Sequence, residues 1–436
     1  MVPNVGGPAK RACTRRAPGG ASVASRPNFV LIVSDQQRYD SLGCNGNRFV
    51  ETPCTDRLAA EGVRFTTGFT PWPVCSPARA TMWTGVYPHA HGITKNVRGV
   101  DDALHSVARV STTVFDLLRA EGYTSAYFGK WALGAGDPGM FDVWDVFDSR
   151  TGHWVDVGDE RRYRPDVQTD RSIEYLREAV GARRPFIMVQ GYYPPHDPYT
   201  APARFYEPYR GRGVPFPGYY AAVSNIDSNT GRIVRAVDDL GAAEDTVIIF
   251  CADHGDTFFA RSEGEHNAVC FEEAIRVPIV VRCPGRIRAG LAVDAMVGLQ
   301  DLMPTVLEFA ECALPSYLHG HSLRPWLEGR VPRWRDAFYV ETVTKRSQYV
   351  QRCLRAQESK LILSQAGPQS LYDLAEDPEE STDLFEPSRS DPTAPVSARA
   401  SEIRELAATL RALAIHIDDP TGVELAQRVL GGSGVP

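Results

Sequence analysis

No two of the nine cysteines (13, 44, 54, 75, 251, 270, 283, 312 and 353) are spaced as C-x-x-C, and their number is odd. That excludes a thiolate zinc site of ordinary spacing and argues against a disulfide framework, so a reducing, cytoplasmic setting is expected. No apolar run approaches the roughly 20 residues that span a bilayer. With a net charge of −7 and no Lys/Arg stripe, neither a membrane nor a nucleic acid is an expected partner. Repeats are missing, and biased composition is confined to residues 1–26, which carry Lys10, Arg11, Arg15, Arg16 and Arg26 without an acid. "TRRAPGGASVAS" leads into no apolar stretch of a signal peptide. A disordered tail is expected there.

What the chain does have is a globular composition, 43% hydrophobic and 23% charged over 436 residues. Short continuous apolar runs at 28–34, 123–129, 185–192, 245–252 and 277–283 read as buried strands. Helical patterns at 112–122, 168–180, 225–241 and 301–311 alternate with them. Such alternation predicts an α/β fold, a large and mostly parallel sheet flanked by helices. Gly and Pro punctuate 131–165, which reads as an insertion with little regular structure. Beyond about residue 332 the texture changes to short strand-like pieces closed by a last helix at roughly 400–416. A main domain over 27–332 and a smaller α+β unit over 333–436 are expected.

Ligands of open α/β sheets bind beyond the carboxyl ends of the strands. Asp35 and Gln36 follow the first run, Lys130 the second, His196 the third, and Asp253 and His254 the fourth. Each alone has an ordinary reading: Asp35 as a helix N-cap, His196 as packing, Lys130 as a solvated side chain. Together they converge on one cleft. Asp35, Gln36, Asp253 and His254 offer two carboxylates, an amide oxygen and an imidazole, a set suited to Ca²⁺, with Mn²⁺ or Mg²⁺ as alternatives.

"PVCSPARATMWTG" (73–85) carries the other signal. C-x-P-x-R is expected by chance about 0.06 times in a chain of this composition, so its presence carries weight. Pro77 suits a first helical turn, which places Cys75 at a helix N-terminus that favours an anion. Arg79 lies one turn on, on the same face. A thiolate paired with His89 or His91 is one reading. Several cationic groups and a metal around the nucleophile fit a tetrahedral oxyanion substrate better than an acyl group.

"CSPAR" followed by "ATMWTGVYPHAHGI" resembles the sulfatases of the alkaline phosphatase superfamily. The resemblance extends over roughly 27–390, through "NFVLIVSDQQRYDSLGC", "YTSAYFGKWALG", "YYPPHDPY", "DTVIIFCADHGD" and "LYDLAEDPEESTDLF". It implies an alkaline phosphatase-like fold and hydrolysis of a small-molecule sulfate ester. It also implies that a separate formylglycine-generating enzyme oxidises Cys75 to formylglycine, whose hydrated gem-diol is the nucleophile. Carried over residue by residue, it implies a metal held by Asp35, Gln36, Asp253, His254 and the modified Cys75. Arg79 would stabilise the gem-diol, Asn96 and Lys130 would contact the oxyanion, and His196 would serve the leaving group.

Three departures accompany the resemblance. The Asp–Gln and Asp–His pairings at 35–36 and 253–254 are similar to those of phosphonate monoester hydrolases and phosphodiesterases. Ala132 stands where the family has a histidine in "GKWHLG", and Asn267 where a lysine is expected. His266, beside Asn267 in "EGEHN", is a candidate replacement as acid or oxyanion contact. A sulfatase is the first reading. A phosphonate monoester hydrolase or phosphodiesterase with the same apparatus, and an unmodified, catalytically dead relative, are the alternatives.

Overall fold

The computed structural model describes residues 26–97, 112–134, 136–261, 266–385 and 397–431. The tail predicted over 1–26 therefore lies outside the described residues apart from Arg26, which pairs with Glu121 at 2.8 Å.

The apolar run at 28–34 becomes β1 (Asn28–Asp35), the middle of an eight-stranded sheet. The chain adds β2 (Val63–Phe65), β4 (Thr124–Gly129), β5 (Val143–Val146), β8 (Phe186–Pro195), β9 (Thr246–Ala252), β10 (Ile279–Arg282) and β11 (Leu291–Val293), in spatial order β11-β2-β10-β9-β1-β8-β4-β5. Only β10 runs against its neighbours. β1 is buried on both faces because its alternate residues enter different cores. Phe29, Leu31 and Val33 pack with Met82 and Trp83 of the helix Cys75–Thr84 and with Leu302 and Val306 of the helix Leu302–Phe309. Val30 and Ile32 pack with Leu176 of the helix Arg164–Gly181 and with Tyr219, Ile226 and Ile233 of the helix Pro217–Asp239. The helix predicted at 112–122 is Val114–Ala120, started by a capping box of Thr113 and Asp116.

The 131–165 stretch has more regular structure than its Gly/Pro content suggests. It supplies the edge strand β5 and a hairpin of β6 (Trp154–Val157) and β7 (Glu160–Tyr163). A further small pair joins β3 (Gly68–Phe69) to β12 (Val297–Gly298).

The C-terminal unit is a four-stranded antiparallel sheet of β13 (Phe338–Val343), β14 (Val350–Arg355), β15 (Ser359–Ser364) and β16 (Ser370–Asp373). One face carries Tyr339, Leu354, Leu361 and Leu371 under two helices, Ser397–His416 and Pro420–Leu430. The last helix expected at 400–416 is thus followed by another, started by the Asp419 side chain and Pro420. The opposite face sets Phe338, Val340, Cys353 and Ile362 against Phe69, Cys270 and Ile275 of the main body. Buried ion pairs stitch the same junction. Lys360 Nζ lies 2.8 Å from Glu272 and 2.6 Å from Glu380. No helix among the described residues is long and apolar enough to cross a membrane.

His89 forms a second stitch. Its Nδ1 is 2.6 Å from Glu341 Oε1 on β13, and its Nε2 is 2.8 Å from the Ile417 carbonyl. Asp419, Arg352 and the stacked His319 complete its surroundings. Burial opposes the charged ring, but Glu341, Ile417 and Asp419 outweigh it and raise its pKa above the unfolded value of about 6.5. A raised histidine pKa stabilises fully below the unfolded pKa, and the contribution is lost as pH rises through the folded one. The melting-temperature gap between the protein and His89→Gln is therefore expected to be widest near pH 6 and to shrink steadily above about pH 6.5. Thermal denaturation in a buffer series measures it; a gap that ignores pH would assign the work to a neutral histidine.

Candidate active site

The register of β1 against β9 pairs Ser34 with Ala252, so the next residues, Asp35 and Asp253, emerge side by side. Both are fully buried. Gln36 turns off the strand in a left-handed conformation (φ +61°), and its N–H donates to Asp253 Oδ1 at 3.0 Å. The His254 N–H donates to the same oxygen at 2.9 Å.

Cys75 is the first residue of its helix, as the Pro77 pattern predicts. Its Sγ lies 3.3 Å from His254 Nε2, 3.4 Å from Lys130 Nζ and 3.6 Å from Asp35 Oδ1. Arg79, one turn later, is fully buried and bridges the carboxylates. Its Nη2 reaches Asp35 Oδ2 at 3.0 Å and its Nε reaches Asp253 Oδ2 at 2.9 Å. The helix thus carries the bracing guanidinium as well as the thiol.

Lys130 leaves the end of β4 and places Nζ 2.6 Å from Asp35 Oδ2, over the Tyr193 ring at 4.5 Å. Gly191 on β8 permits this approach, because a Cβ there would sit 2.5 Å from the Lys130 carbonyl. His196, after β8, turns Nδ1 to the Asp197 carbonyl at 2.8 Å and to Asp197 Oδ1 at 3.1 Å. Asn96 Oδ1 accepts from the Ser76 N–H at 3.1 Å. Cys75, Asn96, Lys130 and His196 all face one cavity of about 410 Å³, shared with Phe147 and Tyr193. Ala132 lines it with a methyl group only, in a left-handed conformation (φ +63°).

Four sequence-predicted residues thus stand as a potential metal nest: single donor atoms of Asp35, Cys75, Asp253 and His254 lie within 4.8 Å of one another. Gln36 is at its edge. Its Nε2 donates to Asp256 Oδ2 at 2.6 Å, and its Oε1 accepts from Asn267 at 3.3 Å with a second lone pair left for a cation. His254 Nδ1 is engaged by the Gly255 carbonyl at 2.9 Å, which aims Nε2 into the nest.

The buried groups of the cluster shift one another's charge states strongly. Burial and the neighbouring Asp35 push Asp253 up to about 7, although Arg79 and His254 oppose them. Burial alone would discharge His254, yet Asp253, Cys75 and Asp35 carry it up to about 9. Burial and Asp35 work against the Cys75 thiolate, and Lys130, His254 and His196 outweigh them, holding the thiol well below its usual value. Burial and Lys130 likewise oppose the charge on His196, but Asp197, Cys75 and Asp35 bring it up to about 10.

His89 and His91 take no part. The first belongs to the Glu341 junction, and the second, 3.1 Å from Thr81 Oγ1, is buried behind the helix. His266 lies 3.3 Å from Gln36 Nε2, and burial with Lys345 pulls its pKa down to about 3, which removes it as a proton store at neutral pH. Tyr193, Asp197 and Asp256 escaped the sequence reading. A signal existed for the first two, since they flank His196 in "GYYPPHDP"; Asp256 carried none beyond its place in "DHGD".

Residues 27–312 match the sulfatase family, and residues 265–405 match the C-terminal part described as N-sulphoglucosamine sulphohydrolase. An arylsulfatase of Clostridium perfringens is 26% identical over 453 aligned residues, covering 83% of this chain and 90% of that protein. The solved structure of BT4656 with D-glucosamine-2-N,6-O-disulfate superposes with a TM-score of 0.77 at 22% identity, covering 91% of this chain and 99% of that one. The phosphonate monoester hydrolase of Agrobacterium radiobacter gives 0.73 at 24% identity, with 90% and 96% covered. The fold is therefore the one expected from the alternation of strands and helices and from the resemblance, and the chain belongs to the sulfatase family of sulfuric ester hydrolases.

Proposed function

We propose that the protein hydrolyses a small-molecule sulfate monoester through a formylglycine made from Cys75 by a formylglycine-generating enzyme, assisted by a divalent cation, Ca²⁺ first. The observation that carries the reading is the placement of Cys75. It starts a helix beneath the cavity that Asn96, Lys130 and His196 line, in contact with Asp35, His254 and Lys130 at once.

The donor set fits a hard cation: two carboxylates, the Gln36 amide oxygen and the His254 imidazole. Burial and the repulsion from Asp35 that lift Asp253 to about 7 are what such a cation would offset. Cation and formylglycine together would supply a hydroxyl nucleophile for sulfur at neutral pH, with a second hydroxyl to release the sulfate.

The chain's own residues supply the rest. Arg79 holds Asp35 and Asp253 in register, so the donors do not spread. Lys130 Nζ, beside Cys75, balances the charge that builds on the sulfuryl oxygens, and the Asn96 side chain faces the same cavity. His196 is protonated at neutral pH, and Asp197 occupies its Nδ1, so the transferable proton is on Nε2. It passes to the leaving oxygen as the S–O bond breaks. Burial of Cys75, 3% exposed, keeps bulk water from the reacting centre.

Mass spectrometry of the tryptic peptide Phe65–Arg79 is expected to show an aldehyde in place of the thiol when the host possesses the converting enzyme. An intact thiol from such a host would leave the inert relative standing. Turnover of an aryl sulfate is expected to exceed that of the matching aryl phosphonate; the reverse order would favour the phosphonate reading suggested by Gln36 and His254. His196→Asn is expected to lower kcat on the sulfate by about 10²–10⁴-fold. Chelation should lower the melting temperature, and Ca²⁺ at about 100 times its Kd should return about 2.7 kcal/mol. A stability indifferent to chelator and Ca²⁺ would remove the cation from the scheme.

A further inference from the structure

Asp256 has no part in the steps above, although it is fully buried two residues after His254. Its backbone is fixed against the neighbouring chain. The Gly255 N–H donates to the Ala274 carbonyl and the Asp256 N–H to the Glu273 carbonyl, both at 2.8 Å. Glycine allows that approach, because a Cβ on residue 255 would lie 1.9 Å from the Glu273 carbonyl oxygen. The carboxylate then accepts three bonds. The Phe258 N–H reaches Oδ1 at 2.8 Å, while Tyr199 OH and Gln36 Nε2 reach Oδ2 at 2.5 Å and 2.6 Å.

Gln36, which this carboxylate holds, is held elsewhere too. Its N–H is on Asp253 Oδ1 at 3.0 Å, its carbonyl accepts from Tyr219 OH at 3.2 Å, and its backbone is left-handed. A residue other than glycine keeps that conformation where its surroundings impose it. The two ends of an amide have nearly the same shape, so their partners decide which way it points. Turning this one round would set Oε1 2.6 Å from a carboxylate oxygen that can only accept. The nitrogen therefore faces Asp256, and the oxygen faces the other way. There Asn267 Nδ2 donates to Oε1 at 3.3 Å; the reversed amide would meet that donor with another. Asn267 is 2% exposed, and its own Oδ1 finds no hydrogen-bond partner among the described residues. A buried amide oxygen left idle does nothing for the fold, so Asn267 is explained by what its nitrogen does.

We propose that Asp256 and Asn267 are positioning residues, which clamp the Gln36 amide with its oxygen toward the cation and its nitrogen away from it. The proposal rests on the cation-assisted reading of the site. A carboxylate at position 36 would have an oxygen at both ends and need no clamp. An amide needs one, because its wrong end repels a cation. Position 267, where the resemblance expects a lysine, thus serves the metal ligand.

The test is Ca²⁺ binding, which needs no turnover. Full-length protein is stripped with a chelator and titrated with Ca²⁺ by isothermal calorimetry. Asn267→Ala, which changes no charge, and Asp256→Asn are each expected to raise Kd by about 10–100-fold. Exchanging the two ends, Gln36→Glu with Asp256→Asn, keeps both the hydrogen bond and the net charge, and should return Kd to within about threefold. In that exchanged protein Asn267→Ala should move Kd by less than about twofold, since either carboxylate oxygen will serve. A structural role for Asn267 would cost the same in both backgrounds, and that result overturns the clamp. So does an unchanged Kd in either single variant, or an exchanged pair that folds without regaining affinity. Gln36→Asp is the carboxylate background if the exchanged pair does not melt cooperatively. No Ca²⁺ binding by the unsubstituted protein would remove the cation reading itself, and the clamp with it.

Discussion

The Arg79 fork between Asp35 and Asp253 is the constraint on which the site depends. Parallel pairing of β1 and β9 brings two carboxylates out of the sheet at neighbouring positions, both without solvent exposure. Two such charges cannot share a dry pocket unaided, and Asp253 shows the strain in its raised pKa. Arg79 supplies the compensation, and because it stands one helical turn after Cys75, it also fixes the rotation of that helix about its axis. Swinging the thiol away from His254 and Lys130 would tear the guanidinium from both carboxylates. Removing one partner of a buried pair costs about 3–5 kcal/mol, while the intact pair adds little net stability. The fork therefore specifies geometry more than it stabilises the fold.

That link explains why the motif and the strand ends are one signal rather than two. The sequence places Cys75 and Arg79 on one helix face and Asp35 and Asp253 after two strands far apart in the chain. Only the sheet register joins them. Asp35, Lys130, His196 and Asp253 were legible because each follows a continuous apolar run, and a parallel sheet sends all such ends to the same edge. The short strands Val63–Phe65, Val143–Val146 and Leu291–Val293 were not, since three or four residues carry no period to read. Nor does any local pattern distinguish antiparallel β10 from its parallel neighbours. The helix Pro420–Leu430 is a different case: Asp419 and Pro420 spell its start, and the signal was present in the chain.

The contribution of the C-terminal sheet lay beyond sequence reading for a physical reason. Lys345 is a turn lysine about 80 residues from His266, and turn lysines are ordinarily solvated. It reaches the site because the buried pairs Lys360–Glu272 and Lys360–Glu380 and the apolar face around Phe338 and Ile362 hold β13 and β14 against the main body. Packing at one end of the sheet thus sets which side chain its turn brings beside His266 at the other.

The departures from the family pattern are coupled through hydrogen bonds rather than independent losses. Gln36 needs an acceptor for its amide nitrogen and finds Asp256; its oxygen is oriented by Asn267, the residue that stands where a lysine is expected. An ammonium at 267 could orient that oxygen too, but it would add a positive charge beside a site that already gathers Arg79, Lys130 and His196. An amide orients without adding charge. The same Gln36 nitrogen lies 3.3 Å from His266 Nδ1, and the other ring nitrogen lies 3.3 Å from Lys345 Nζ. Residues 36, 266 and 267 therefore form one hydrogen-bonded arrangement rather than three separate changes. An Asn267→Lys change would keep a donor on the Gln36 oxygen but set a further positive charge beside Arg79, Lys130 and His196.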